Sequence, residues 1–219
     1  MCIRDRYNAG NIGSVTNALN RLGVDNKVTD NPVELQTADK VIFPGVGEAG
    51  TAMKYLRERG LDIVIKNLQQ PVLGICLGMQ LMCNHSEEGD TKCLGIFDTD
   101  VKKFDPSKTF RQAQDDTSRL TQKVPHMGWN TLNTEYLNKN LKSEIVNQQS
   151  LILGDLPKEA DVYYVHSFYA DLCKSTLATC DYILPFSSVL HKNNFYATQF
   201  HPEKSAGIGE QILKNFIKI

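Results

Sequence analysis

No apolar run in this 219-residue chain approaches the roughly 18 residues needed to cross a bilayer, so the sequence holds no candidate transmembrane helix. The opening stretch, Met1-Cys2-Ile3-Arg4-Asp5-Arg6, lacks the apolar core of a secretory signal, and a cytosolic protein is the expectation. An excess of one charge is missing too. Twenty-four Lys and Arg against 25 Asp and Glu leave a formal net charge of -1, which gives no global reason to expect nucleic acid or an anionic membrane as partner. Metal-binding patterns are absent as well. Cys2, Cys76, Cys83, Cys93, Cys173 and Cys180 show no CxxC spacing and no dense disulfide framework, so reduced thiols are expected. His85, His126, His166 and His191 form no HExxH pair, so they read as surface or structural residues, with no metal and no cofactor expected. There is no internal repeat.

What the chain does have is length enough for one large core and an ordinary globular composition, 41% apolar and 22% charged. Residues 1–219 read as a single domain. Val15, Ala18, Leu19 and Leu22 recur at helical spacing before Gly23. Val41-Ile42-Phe43 and Val72-Leu73-Gly74-Ile75 are short apolar runs bounded by breakers, as buried parallel strands are, and Ala52 to Leu68 between them reads as a helix. This strand, helix, strand order implies a sheet covered on both faces. The second half is richer in strands: Val162 to Val165, Leu177 to Cys180 and Phe195 to Phe200, with a polar turn at Lys192-Asn193-Asn194 and several antiparallel pairings expected. Ile208, Ile212, Leu213 and Phe216 close the chain as a helix, and Asp105 to Lys123 reads as an irregular surface segment. Tyr163, Tyr164, Phe168, Tyr169 and Trp129 are ordinary candidates for the core. The start is anomalous. Three consecutive charges, Arg4-Asp5-Arg6, occupy the place of a first buried strand, and Met1 to Arg6 is read as foreign sequence joined to the domain.

Chemistry concentrates in three places. Gly74-Ile75-Cys76-Leu77-Gly78 puts a thiol between a strand and a helix expected at Met79 to Asn84, with glycines two residues away on each side. That is the nucleophile-elbow pattern with Cys for Ser, and a helix starting behind the sulfur favours the reactive thiolate. The bland alternative is a buried Cys at an ordinary strand end. In Gln199-Phe200-His201-Pro202-Glu203, His and Glu two residues apart share one side of an extended segment, so Glu203 can orient His201 as a general base. Alone, such a pair is more often a surface ion pair than a catalytic one. The third place, Pro44-Gly45-Val46-Gly47, offers flexible backbone whose Val46 amide, with that of Leu77, could form an oxyanion hole. The same stretch runs on to Gly50 and satisfies G-x-G-x-x-G, which leaves a dinucleotide loop and an ordinary glycine turn as alternatives.

PGVG, GICLGMQ, VPHMGWN, YYVHSFY and QFHPEKS occur here in the order found in class I glutamine amidotransferases, and the chain from Tyr7 onward resembles, within them, the glutaminase subunits of imidazole glycerol phosphate synthases. The resemblance implies a flavodoxin-like three-layer α/β fold, mostly parallel with an antiparallel addition in the C-terminal half. It implies a triad of Cys76, His201 and Glu203, oxyanion donors at Val46 and Leu77, and glutamine contacts at Gly45, Gly47, Gln80, His166, Ser167 and Phe168. It further implies a heterodimer with a (β/α)₈ cyclase subunit, which uses the ammonia to make imidazole glycerol phosphate and an aminoimidazole carboxamide ribotide in histidine biosynthesis. Asn11, Trp129 and Tyr163 are the candidates for the partner face, and low glutaminase activity without the partner is expected. The family's first strand and following turn survive here only as Tyr7, Gly10 and Asn11. Three other readings remain: the glutaminase of an enzyme that modifies a surface sugar, a stand-alone cysteine hydrolase or peptidase, and a non-catalytic module on this fold.

Overall fold

The structure, a computed structural model, describes residues 2–3, 12–45, 47–108, 122–134, 152–157 and 159–219. Its centre is a parallel sheet in the order β2 (Lys27–Val28), β1 (Cys2–Ile3), β3 (Val41–Gly45), β4 (Val72–Cys76) and β13 (Phe195–Thr198). Every residue of β3, β4 and β13 is buried, as expected for strands covered on both faces. Because side chains alternate along a strand, Ile42, Leu73 and Ile75 enter one apolar cluster, and Val41, Phe43 and Val72 the opposite one.

Helices fill the two outer layers. α1 (Ile12–Arg21) and α6 (Ala206–Lys218) pack on the first face through Val15, Leu19, Ile212, Leu213 and Phe216. On the other face the expected single helix from Ala52 to Leu68 is two helices, α3 (Ala49–Glu58) and α4 (Leu61–Lys66). The break is at Gly60, whose φ of 65° ends one helix and starts the next, a conformation glycine adopts without steric cost. The short α2 (Pro32–Thr37) starts at Asn31, whose side chain accepts the amides of Val33 and Glu34.

The antiparallel addition joins β13 through β12 (Pro185–Lys192), with Asn193 taking the positive φ of the tight turn. β12 pairs with β11 (Thr176–Asp181) and β10 (Phe168–Ala170), and β10 continues to β7 (Asp100–Lys103). β5 (His85–Ser86) pairs with β7 in parallel and with β6 (Thr91–Lys92) antiparallel. The addition therefore begins before the C-terminal half of the sequence. β8 (His126–Leu132) and β9 (Ala160–His166) form a separate antiparallel ribbon, bridged to β11 at Asn133 and Thr179.

The first strand is present, against the expectation from the charged run. Cys2 and Ile3 pair with Lys27 and Val28 on one side and with Val41 and Ile42 on the other. Met1, Arg4 to Arg6, Tyr7, Gly10 and Asn11 lie outside the described residues. Among the described residues no helix is long and apolar enough to cross a membrane, and no group of His, Cys, Asp and Glu could hold a metal ion. Cys76, Cys83, Cys93, Cys173 and Cys180 are free thiols.

Candidate active site

β4 carries Cys76 at its C-terminal end, where the chain turns directly into α5 (Leu77–Leu81). Cys76 has φ 55° and ψ −110°, a sparsely populated backbone region of the kind stored at functional sites. The neighbouring glycines supply space. A Cβ on Gly78 would stand 1.8 Å from the Phe43 carbonyl oxygen, one on Gly74 2.9 Å from Met82 Sδ, and one on Gly45 2.8 Å from the Gly78 amide nitrogen. The helix expected at Met79 to Asn84 thus starts two residues earlier, at the elbow itself. It stops at Leu81 because Asn84 turns its amide to Thr99 O at 2.8 Å and Cys83 its carbonyl to the Gly95 amide at 2.7 Å.

His201 follows the end of β13, beside β4. Its amide donates to Tyr163 O at 3.0 Å, and Ser205 Oγ donates to His201 O at 2.7 Å while accepting the Tyr163 amide at 2.9 Å. This clamp ties the segment to β9. Glu203 reaches back from a 3₁₀ turn, Pro202–Lys204, rather than along an extended segment, and its Oε1 lies 2.8 Å from His201 Nδ1. Both side chains are buried. Burial works against a charged ring, but the charge and hydrogen bond of the Cys76 sulfur and the Glu203 carboxylate outweigh that effect and push His201 up from 6.5 to about 10. At neutral pH the arrangement holds an imidazolium between a sulfur and a carboxylate.

The sulfur opens into a cavity of about 390 Å³ lined by Gly45, Gly47, Cys76, Leu77, Gln80, Glu88, Pro125, Val165, His166, Ser167, Phe168 and His201. It gathers every described residue expected to bind glutamine, together with the Cys76 thiol, Leu77 and the His201 ring. Val46 lies outside the described residues, as does Asn11. Trp129 and Tyr163 pair across the β8–β9 ribbon instead, their rings 6.0 Å apart and edge to face. Trp129 is 55% exposed and Met127, on the same face of β8, 63% exposed, whereas Tyr164 and Tyr169 are core residues.

Among the polar residues around the site, Glu88 and Gln199 were given no role from the sequence, and His126 was read only as surface or structural. Glu88 contributes a carboxylate to the cavity, its Oε2 accepting the Ala49 amide at 2.8 Å, and burial, with the Glu48 charge, holds its carboxyl above the usual range. Glu48 caps the same helix, accepting the Gly50 and Thr51 amides at 3.0 and 2.8 Å. Two carboxylates therefore occupy the N-terminus of α3, where a dinucleotide loop would need free amides for a pyrophosphate, and the G-x-G-x-x-G reading is set aside. Nothing in the Ser86-Glu87-Glu88-Gly89 stretch announced Glu88.

Gln199 and His126 complete a buried polar network. Gln80 Nε2 donates to Phe168 O at 2.9 Å and to Gln199 Oε1 at 3.0 Å, and Gln199 Nε2 stands 3.8 Å from Cys76 Sγ. His166 Nδ1 also meets Phe168 O, at 2.7 Å. A carbonyl can only accept, so this nitrogen carries the proton and His166 Nε2 accepts from His126 Nδ1 at 3.0 Å. His126 Nε2 then accepts from Asn130 Nδ2 at 3.3 Å. Burial lowers His126 to about 4 and, against the hydrogen bond to the Phe168 carbonyl and with the nearby His201 charge adding to it, His166 to about 3, so both rings are neutral near pH 7. Gln199 stood in the QFHPE motif without a role, while the His126–His166 pair is invisible to spacing because it forms across two strands.

Comparisons with known proteins identify the family and the fold. The family model "Glutamine amidotransferase class-I" matches residues 5–219. The chain is 55% identical over 214 residues to the imidazole glycerol phosphate synthase subunit HisH of Bacteroides thetaiotaomicron, covering 98% of this chain and 97% of that one. It is 41% identical over 209 residues to the HisH subunit of Xanthomonas euvesicatoria pv. vesicatoria, covering 95% and 92%. Among solved structures, a glutamine amidotransferase from Thermotoga maritima shares the fold with a TM-score of 0.57 at 16% identity, covering 99% of this chain and 80% of that one. The glutaminase domain of a Trypanosoma brucei CTPS, solved with bound acivicin, does so with a TM-score of 0.61 at 16% identity, covering 99% and 93%. The chain belongs to the class I glutamine amidotransferases, in the family of the imidazole glycerol phosphate synthase subunit HisH.

Proposed function

We propose that this chain hydrolyses glutamine at Cys76 and passes the ammonia to a cyclase subunit in histidine biosynthesis. The observation that carries the chemistry is the line from the Cys76 sulfur through the His201 ring to Glu203 Oε1, 2.8 Å from Nδ1, at the wall of a cavity sized for a small molecule. Cys76 Sγ attacks the side-chain amide carbon of glutamine, and negative charge develops on the amide oxygen. The Leu77 amide, at the start of α5, is one donor to that oxygen, and the Val46 amide is the second by family resemblance. His201, held as imidazolium, gives its proton to the departing ammonia, and a thioester is left on Cys76. The neutral ring then takes a proton from water as that water attacks the thioester carbon, which releases glutamate and restores the sulfur.

Glutamine is framed by Gly45, Gly47 and the backbone from His166 through Ser167 to Phe168. Both hydrogens of the Gln80 amide are engaged by Phe168 and Gln199, so Gln80 offers its substrate an acceptor oxygen. That oxygen and the Glu88 carboxylate suit the α-ammonium group. A partner subunit is inferred from the names of the relatives at 55% and 41% identity and its being a cyclase from the family resemblance, and the exposed Trp129 and Met127 suit a docking face.

The test is glutamate release from glutamine by the purified chain, alone and with a (β/α)₈ cyclase and its ribotide substrate, beside Cys76→Ala. Release that needs both Cys76 and the cyclase is the expected result. Release that needs Cys76 but ignores the cyclase would sink the coupling, and peptide cleavage without a partner would favour a peptidase.

A further inference from the structure

Gln199 is fully buried, and its amide lies between the two other polar groups that meet the nucleophile's surroundings, Gln80 on one side and Cys76 on the other. Its orientation follows from donors and acceptors alone. Phe168 O receives His166 Nδ1–H at 2.7 Å and one Gln80 N–H at 2.9 Å, which turns the Gln80 NH₂ group inward. The second Gln80 N–H points at Gln199, 3.0 Å away, so the Gln199 atom facing it is the oxygen. The Gln199 NH₂ group is thereby left facing the sulfur, 3.8 Å from it. Flipping the amide would set its NH₂ group against the Gln80 NH₂ group, a repulsive contact that fixes the orientation. A donor fixed beside sulfur favours thiolate over thiol, because a hydrogen bond to a charged acceptor is the stronger one.

From this chain of contacts we infer that Gln199 is a positioning residue for the Cys76 sulfur, oriented through Gln80 by the Phe168 carbonyl so that its amide hydrogens stabilise the thiolate. The inference rests on the reading of Cys76 as nucleophile. It also assigns Gln80 a second role, since the same side chain that lines the cavity decides which end of the Gln199 amide the sulfur meets. A merely structural Gln199 would satisfy buried hydrogen bonds and hold β13 to its neighbours, without changing how the thiol titrates.

The experiment is the pH profile of Cys76 alkylation by iodoacetamide, followed at that residue by peptide mass spectrometry. It is run on the full chain and on Gln199→Met, Gln80→Met and the double variant, with circular dichroism to establish that each is folded. Gln199→Met keeps the volume and removes the donor, so the midpoint of its profile is expected to rise by about one pH unit, roughly a tenfold lower alkylation rate below the midpoint. Gln80→Met frees the Gln199 amide to turn and is expected to move the midpoint the same way, with the double variant no further shifted than Gln199→Met alone. In the glutaminase assay with cyclase, Gln199→Met is expected to lower kcat about tenfold with little change in KM. Unshifted profiles in folded variants would overturn the inference, and so would shifts from the two sites that simply add. Should Gln199→Met fail to fold, the Gln80→Met profile decides alone. Wild-type chain that releases no glutamate with cyclase present would defeat the glutaminase reading, while the alkylation profiles would still decide the role of Gln199.

Discussion

A buried histidine is ordinarily easier to deprotonate than a free one, yet His201 moves the other way, to about 10, because a sulfur and a carboxylate flank it. The folded pKa lies above the unfolded value of 6.5, so the stability this ring contributes is complete below pH 6.5 and is lost as pH rises through about 10. Glu203 is one of the groups that sustain the charge, and Glu203→Gln keeps its shape while removing the charge. This substitution is expected to lower glutamate release roughly 10²- to 10⁴-fold, the usual range for acid–base catalysis, with a much smaller change in KM. Steady-state assays with the cyclase present check it. Unchanged kcat would mean that Glu203 only packs beneath the ring.

Among the elements, the turn from β4 into α5 is the most tightly constrained. Gly78 lies against the Phe43 carbonyl so closely that Gly78→Ala places a Cβ 1.8 Å from that oxygen, and the backbone of β3 or α5 must move. The expected cost is several kcal/mol, a large share of the usual 5–15 for a domain, read as a lower urea midpoint or as insoluble protein. Gly207, in the first turn of α6, is the contrasting case. A Cβ there meets nothing within 4 Å, and Gly207→Ala is expected to stabilise the chain by up to about 1 kcal/mol, seen in the same unfolding assay. The β8–β9 ribbon is a third kind of element, with an inner side of His126 and Tyr164 and an outer side that bears Trp129. Trp129→Ala should leave the unfolding midpoint within about 0.5 kcal/mol of wild type, since the ring is largely exposed. Binding to the cyclase should weaken at least tenfold, as for a central aromatic anchor, and calorimetric titration would show it.

At the scale of the molecule, the buried neutral histidines make the fold sensitive to acid. His126 and His166 pair across the β8–β9 ribbon, His126 stacked between Tyr164 and Tyr182 with ring centroids 4.7 and 3.9 Å away. Their folded values of about 4 and about 3 lie below the unfolded 6.5, so the unfolded chain binds more protons in that window. Their contribution to stability is complete above pH 6.5 and is lost as pH falls towards about 3. By pH 5 the loss is expected to reach up to roughly 2 kcal/mol per ring. Urea unfolding at neutral pH and at pH 5 measures it, and a flat stability curve across that interval would contradict the neutral assignment. His126→Gln should make the curve shallower.

The chain's periodicities and breakers were enough to determine its class and the strands and helices that frame the elbow, because burial on one or two faces imposes apolar spacing that local residues must carry. The elbow was legible for a similar reason: Gly74, Cys76 and Gly78 are neighbours in sequence, and the close approach that demands glycine leaves its mark there. His201 and Glu203 were legible as a pair because two residues of spacing bring them together, although through a 3₁₀ turn rather than an extended segment. The break at Gly60 and the strand at Cys2–Ile3 were not legible, since both depend on how neighbours pack instead of on local pattern. Which thiol faces an imidazole, that Gln199 turns its amide to Cys76, that Glu88 enters the cavity and that His126 meets His166 were decided by tertiary structure alone. The His126–His166 and Cys76–Gln199 contacts join residues 40 and 123 positions apart in the chain, and no local periodicity records an encounter that the folded sheet brings about.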